Sequence, residues 1–493
     1  MGQLTHEQLL KIAGHPIEGD LRSAIYKRIE TDSRKVDKET IFFALPGVAS
    51  NGWDYLDQVA ALGCRVAVVP DNLGLTHPDI YLLPAAKPTE LLVACLHGFF
   101  GRMPEKIVAV TGTNGKSSIC YYLAQLAEYV GLKSGLISTF GIGPLGCLKD
   151  AQQTTPDILS LHNTLMSLAD ENVNFVAFEA SSHALDQGRI DGVPFQTAVF
   201  SNLSHDHLDY HGDMSSYAEA KRRLFTFPGI KYSIFCLDDE FTSFMTAAAI
   251  STDCYFYSEQ NPSADFYVKD LVFQPSGCQF VLCHPEGVLD VFLPLLGRFN
   301  IQNALAALSS LWYQVEDRSR LLEGLSYLQG APGRMDKVQV PDAPIVVVDY
   351  AHTPDALKVA LQALKEHSQG RLICVFGCGG DRDKTKRPLM MEAVMNHADA
   401  IWLTSDNPRT ESVEQIIADT LSSVDRSALV QKGGLYVEAD RRLAIQAAIS
   451  SASIDDVILI AGKGHETYQD IQGVKHHFDD REEAREGLKK YVN

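Results

Sequence analysis

The stretch Lys106-Ile107-Val108-Ala109-Val110-Thr111-Gly112-Thr113-Asn114-Gly115-Lys116-Ser117-Ser118 decides the fold. Residues 107–110 form an apolar run of the kind buried on both faces of a sheet. The glycines that follow read as a turn, and 119–130 carries apolar residues at helical spacing. A glycine turn between a buried strand and a helix can aim backbone N–H groups, and the helix's partial positive charge, at phosphate. Lys116 can then reach terminal phosphates, and the Ser117 hydroxyl can sit on a magnesium ion. The general phosphate-loop pattern asks for glycine where Val110 stands, so the pattern by itself leaves an ordinary turn open. Strand, turn and helix in the correct order favour nucleoside triphosphate, held by Gly112, Thr113, Asn114, Gly115, Lys116, Ser117 and Ser118.

Outward from this loop, strands are predicted at 135–139, 175–178, 198–201 and 234–237, separated by helical stretches. That alternation indicates a mostly parallel sheet covered by helices. The stretch 265–294 alternates more and places Gly277 in a turn, which predicts an antiparallel hairpin at the sheet edge. Beyond a Pro/Gly linker at 331–336, strands recur at 345–348, 372–376, 400–404 and 457–460, a second parallel α/β unit of the doubly wound kind. Before residue 96, short apolar runs at 41–44 and 65–69 flank a helical stretch at 55–62, a small α/β unit. The expectation is an α/β protein of three domains, 1–95, 96–330 and 331–493. A chain of 493 residues is too long for one core.

The net charge of −19 repels a nucleic-acid backbone and offers nothing to anionic lipid. The 10 cysteines are scattered without zinc spacing, so they read as reduced and mostly buried. The start, MGQLTHEQLLKIAG, lacks the basic and apolar regions of a secretory signal, and no apolar stretch is long enough to span a membrane. A cytoplasmic protein without nucleic acid or membrane insertion is expected.

A phosphate site needs metal ligands. Glu179 follows a strand, where a carboxylate leaves the sheet beside the phosphate loop. His205, Asp206, His207 and Asp209 crowd into SNLSHDHLDYHG, a poor core segment that reads as a site or as a solvated loop. His211 reads as a turn histidine. Lys221, in YAEAKRRLF, reads by itself as a surface lysine.

Nine motifs follow in order: TGTNGKSS (111–118), EASSHAL (179–185), SNLSHDHLDYHG (201–212), GRFNIQNALAA (297–307), PGRMD (332–336), DYAHTPDAL (349–357), GCGGDRDKTKRP (377–388), SDNPRTE (405–411) and AGKGHETYQ (461–469). Together they resemble the Mur ligase family over essentially the whole length, most closely its branch that adds the third stem-peptide residue. That family's phosphate loop also lacks the first glycine. Its usual Thr-Thr after the lysine is Ser117-Ser118 here, which keeps the hydroxyl. The resemblance implies an N-terminal UDP-substrate domain, a central ATPase and a C-terminal dinucleotide-fold-like domain in a monomeric, cytoplasmic, ATP-dependent ligase.

It further implies that Ser117, Glu179, His207 and Lys221 hold Mg2+, with Lys221 carrying a carbamate. Catalysis falls to Lys116, Glu179, His207 and Lys221, and Asn300, Asn303, Arg334 and Asp349 surround the nucleotide; His352 shares that last motif. Ser33 in TDSR, Gln153, Thr154, Thr155, Ser181, Gln187 and Arg189 are implied to hold UDP-N-acetylmuramoyl-dipeptide. Arg382, Asp406, Asn407, Pro408, Arg409, Gly462 and Glu466 are implied to hold the amino acid.

The form Asp406-Asn407-Pro408-Arg409 resembles meso-diaminopimelate-adding members; lysine-adding ones replace the arginine. The chemistry agrees, because diaminopimelate is lysine with a second amino-acid head, and Arg409 can pair bidentately with its extra carboxylate. Glu466 would attract the distal ammonium. A lysine ligand would leave Arg409 buried without its anion. Alternatives are the lysine-adding ligase, a folylpolyglutamate synthetase-like ligase, and a nucleotide-binding protein that has lost catalysis. The last would lack Lys116, Glu179, His207 or Lys221, and all four are present.

Overall fold

The structure, a computed structural model, describes residues 3–17, 21, 23–47, 50–99, 102–149, 155–422, 424 and 434–492. It divides into two compact units that interleave along the chain. The first comprises residues up to Asn114, Gly131–Ser233 and Ser243–Cys254; the second comprises Gly115–Val130, Ile234–Thr242 and the chain from Tyr255 onward.

In the first unit, Arg28–Glu30, Thr40–Phe43, Val66–Pro70 and Tyr81–Ala85 pair in chain order as a parallel four-stranded sheet. Side chains alternate between faces with the period of two that strands impose. Ile41, Phe43, Val66 and Val68 pack with Leu9, Leu10, Leu92 and Cys95 on one face. Phe42, Ala67 and Val69 pack with Leu56 and Val59 on the other. The helix Pro88–Phe99 runs through the division expected at 95/96.

The phosphate-loop strand, Lys106–Thr111, lies between Phe175–Glu179 and Thr197–Phe200, parallel to both. Ser134–Ser138 follows in parallel beyond Phe175–Glu179, and Gly141–Pro144 closes that edge antiparallel. The last was not anticipated, because its glycines and proline carry no apolar alternation.

In the second unit, the helix Lys116–Tyr129 packs on Arg298–Trp312. The expected hairpin is a three-stranded antiparallel arm, Phe266–Gln274, Gly277–His284 and Gly287–Leu293. Gly277 is the first residue of a strand rather than a turn residue, and the position needs glycine because a Cβ there would meet the Leu293 carbonyl of the neighbouring strand. The remaining sheet runs Asp336–Val338, Ile345–Asp349, Val457–Ala461, Leu372–Phe376, Ala400–Leu403 and Leu435–Val437, parallel except for the first. Helices Pro354–His367 and Lys386–His397 cover one face, and Arg441–Ser450 and Asp480–Val492 the other.

The α/β class and the mostly parallel sheets agree with the sequence reading. Chain order reverses where Val457–Ala461 inserts between Ile345–Asp349 and Leu372–Phe376. Ligands of open α/β sheets bind outside the carboxyl ends at such a switch point. Four motif loops, beginning at 349, 377, 405 and 461, leave from those ends.

Candidate active-site loops

Residues 112–114 are fixed by SNLS at the end of the adjacent strand. The N–H groups of Thr113 and Asn114 donate to the backbone and side-chain oxygens of Asn202, at 2.8 and 2.9 Å. Ser201 and Asn202 donate back to the Asn114 carbonyl. Two N–H groups expected to face phosphate are therefore engaged internally. Gly112, with φ 148°, leaves no room for a Cβ beside Ser201 Oγ.

Gly115 occupies the N-cap of the helix that begins at Lys116, with φ 84° and no side-chain cap. A Cβ there would lie 2.5 Å from Asn303 Oδ1. Asn303 donates to Asn300 Oδ1 at 3.0 Å, Tyr122 donates to the same oxygen at 3.0 Å, and Asn300 Nδ2 donates to the Leu296 carbonyl. Asn300 is thus engaged in holding two helices together, and Asn303 shapes the space under the loop. The helix N-terminus beyond Gly115 directs partial positive charge toward an anion. Ser117 is partly exposed and Ser118 buried.

Lys221 corrects the residue-level reading of a surface lysine: it is 1% exposed. Its helix, Met214–Arg222, buries the face carrying Tyr217, Ala218 and Lys221. Nζ donates to the Gly112 carbonyl at 2.6 Å and lies 4.5 Å above the Tyr217 ring, whose hydroxyl contacts Thr113 Oγ1. Glu179 ends its strand, buried, and Oε2 accepts from Thr139 N–H at 3.1 Å. His207 is half exposed at φ 53° beside Asp206. Its ring stands 5.0 Å from that of His183, which in turn lies 5.4 Å from His211. Burial and then the charge of His207 lower the His183 pKa. His211 meets Ser182 Oγ at 3.0 Å, so it is more than a turn residue.

Thr155, Ser181 and Arg189 come together. Thr155 Oγ1 donates to the Glu179 carbonyl and lies 3.4 Å from Ser181 Oγ, and Arg189 donates to the Thr155 carbonyl at 2.7 Å. Burial lowers the Arg189 pKa. Gln187 donates to the Tyr210 hydroxyl, and Ser33 to Gln58 at 3.4 Å. Gln153 and Thr154 lie outside the described residues.

At the carboxyl edge of the six-stranded sheet, Asp349 is a loop organiser. Its carboxylate accepts from Met335 and Ala351 N–H groups, both at 2.8 Å, and burial raises its pKa. Arg334 lies over the Tyr350 ring, and His352 meets the Tyr350 carbonyl. Arg409 has φ 50°, a conformation held by its N–H to the Asp470 carbonyl and its carbonyl from Gln472 N–H. Nη1 donates to the Gly380 carbonyl at 2.7 Å. Asn407 Oδ1 accepts from Lys463 and Asp470, and Nδ2 donates to Glu466 at 2.9 Å. Lys463 also lies 3.3 Å from Glu466, so the Glu466 charge is already partly answered. Asp406 is buried, which raises its pKa, and Gly462 leaves no room for a Cβ beside its Oδ2. Arg382 is exposed, with its stem near Gly379.

Residues 110–311 match the Mur ligase middle domain, and 333–464 the Mur ligase glutamate ligase domain. The UDP-N-acetylmuramoyl-L-alanyl-D-glutamate--2,6-diaminopimelate ligase of Pseudomonas aeruginosa is 40% identical over 95% of this chain and 96% of its own. The protein of that name from Coxiella burnetii is 40% identical over 98% and 99%. The chain belongs to the Mur ligase family. A solved Mur ligase structure, also of a UDP-N-acetylmuramoyl-L-alanyl-D-glutamate--2,6-diaminopimelate ligase, superposes with TM-score 0.79 at 38% identity, covering 98% of this chain and 99% of that one. A folylpolyglutamate synthase from Mycobacterium tuberculosis shares the fold, with TM-score 0.56 at 20% identity over 76% of this chain and 90% of that one.

For a Mur ligase, the donors present fit magnesium. Among the described residues no three His, Cys, Asp or Glu side chains gather as a metal cage. Magnesium is commonly held by one or two carboxylates together with phosphates and water, and Glu179, buried at the end of its strand, has the donor chemistry such a site would use. Sequence reasoning missed Lys463, Tyr217, Asn202 and His183 in this Mur ligase. Lys463, Asn202 and His183 lie inside quoted motifs, and only their surroundings in the fold show what they touch.

Proposed function

We propose that this chain joins meso-2,6-diaminopimelate to the D-glutamyl side-chain carboxylate of UDP-N-acetylmuramoyl-L-alanyl-D-glutamate, consuming ATP, in peptidoglycan precursor synthesis. The observation that carries the reading is 40% identity along nearly the full length of ligases bearing that name. Residues 1–95 would take the UDP moiety, 96–330 ATP, and 331–493 the amino acid. The enzyme is taken to work in the cytoplasm as a monomer; among the described residues no helix is long and apolar enough to cross a membrane.

A carboxylate is a poor acyl donor, because its leaving group would be oxide. Lys116 and the helix N-terminus would hold the terminal phosphates while the γ-phosphoryl group passes to the glutamyl carboxylate. Magnesium, when bound by Ser117, Glu179, His207 and carbamylated Lys221, supplies positive charge to the transferring oxygens. Carbamylation would make buried Lys221 an anion. Arg189, with Ser33, Thr154, Thr155, Ser181 and Gln187, orients the UDP-linked acid. Arg409 pairs with the distal carboxylate of diaminopimelate and orients its amine, which attacks the acyl phosphate and expels phosphate.

The test is ATP-dependent ligation by the purified chain with the UDP-dipeptide, comparing meso-diaminopimelate with L-lysine. Product with diaminopimelate and little with lysine is expected. Equal use of lysine would favour the lysine-adding reading, and no product with either, while both nucleotides bind, would refute the assignment.

A further inference from the structure

Arg441 is among the largest fully buried side chains, and nothing in the reaction above uses it. It opens the helix Arg441–Ser450, on one covering face of the six-stranded sheet, and Asp480 opens the other helix on that face. The pair is bidentate: Nε donates to Oδ1 at 2.8 Å and Nη2 to Oδ2 at 2.7 Å, with neither side chain exposed. This fork fixes the guanidinium plane. Two of the three remaining N–H bonds reach backbone carbonyls, Nη1 to Ser405 (3.2 Å) and Nη2 to Ala461 (3.0 Å).

Those carbonyls are informative. Ser405 immediately precedes Asp406-Asn407-Pro408-Arg409, and Ala461 immediately precedes Gly462. Their strands, Ala400–Leu403 and Val457–Ala461, are not neighbours; Leu372–Phe376 lies between them. No ladder bond between those strands can therefore join the two loops at their base; the backbone bonds between Arg409 and residues 470 and 472 lie farther along, beyond Glu466. Arg441 spans that gap, at the edge where the sheet's hydrogen bonding runs out. Lys463, Asn407 and Glu466 complete the bridge nearer the loop tips.

We propose that Arg441 is a positioning residue for the incoming amino acid, setting the spacing between the loop carrying Arg409 and the loop carrying Glu466. Diaminopimelate has two charged heads at a fixed separation, so its recognition depends on that spacing, whereas a simple structural brace would not discriminate among substrates. The inference rests on the ligase reading above.

Removing one partner of a buried ion pair can unfold a protein, whereas replacing both with apolar residues is often tolerated. Two variants of the full chain serve: Arg441→Met/Asp480→Leu, which removes both charges and both carbonyl bonds, and Arg441→Lys, which keeps a cation facing Asp480 but loses the fork. In the double variant KM for diaminopimelate should rise about tenfold or more, with KM for ATP and for the UDP-dipeptide within about twofold. Arg441→Lys should fall between it and the unsubstituted chain. An unchanged diaminopimelate KM in whichever variant folds, or an equal rise in all three KM values, would overturn the positioning role. Should the unsubstituted chain fail to ligate diaminopimelate, the ligase reading falls and takes the inference with it. Normal ligation with unmoved KM values overturns the inference alone.

Discussion

Replacing Gly115 with alanine tests the nucleotide loop through two separable costs. An L-residue at φ 84° is strained by about 1–2 kcal/mol. The new Cβ would also sit 2.5 Å from Asn303 Oδ1 and 3.4 Å from its Cγ, closer than the side chain can tolerate. Asn303 can retreat only by stretching its 3.0 Å bond to Asn300, and losing a buried hydrogen bond costs about 1–3 kcal/mol. Together they put about 2–5 kcal/mol on the loop conformation that meets phosphate. Near the lower bound, ATP affinity falls about thirtyfold. Calorimetric titration with ATP in Gly115→Ala, Asn303→Ala and the double variant separates the terms. The loss caused by Gly115→Ala should be smaller in the Asn303→Ala background, because the clash is gone and only backbone strain remains. Equal losses in both backgrounds, or affinity within about twofold for Gly115→Ala, would refute the packing argument.

Arg409→Lys keeps the charge and removes the planar fork, so KM for diaminopimelate should rise about tenfold with KM for ATP unchanged; steady-state kinetics with each substrate varied would show it. Glu411 is held at a pKa of about 2, below the ordinary 4.5, first by its hydrogen bond from Arg387 and then by that from Lys384. A depressed carboxylate contributes stability that is present above the unfolded pKa and lost as pH falls through the folded one. Thermal midpoints recorded from pH 5 to about 2 should therefore decline less steeply in Glu411→Gln than in the unsubstituted chain, and parallel curves would contradict the assignment. If Lys221 carries a carbamate, ligation should fall when carbon dioxide is stripped from the buffers and return with bicarbonate; carbon-13 resonance of labelled carbamate, absent in Lys221→Gln, gives an independent readout.

Most of the parallel strands of the two larger sheets were legible in the sequence because each is a local apolar pattern, whereas Gly141–Pro144 was not. Residues 106–110 could only be a buried strand, and the glycines after them could only be a turn. The arm at 266–293 was harder, since alternation marks strands without counting hairpins, and Gly277 looked like a turn when its real constraint is the Leu293 backbone beside it. Charge, cysteine usage and the nine motifs likewise needed nothing beyond residue order.

What depended on folding was the surroundings of each side chain. Lys221 and a surface lysine have the same sequence appearance; burial beside the Gly112 carbonyl and the Tyr217 ring separates them. Asn300 is placed near the nucleotide only by resemblance, and its amide's ties to Tyr122, Asn303 and Leu296 appear only once the two helices pack. Arg441 and Asp480, 39 residues apart in the chain, carry no shared motif and meet only because two helices start on the same sheet face. Periodicity and composition are properties of the chain read in order, whereas desolvation and hydrogen-bond pairing depend on which distant segments become neighbours, and that is settled only when the sheets assemble.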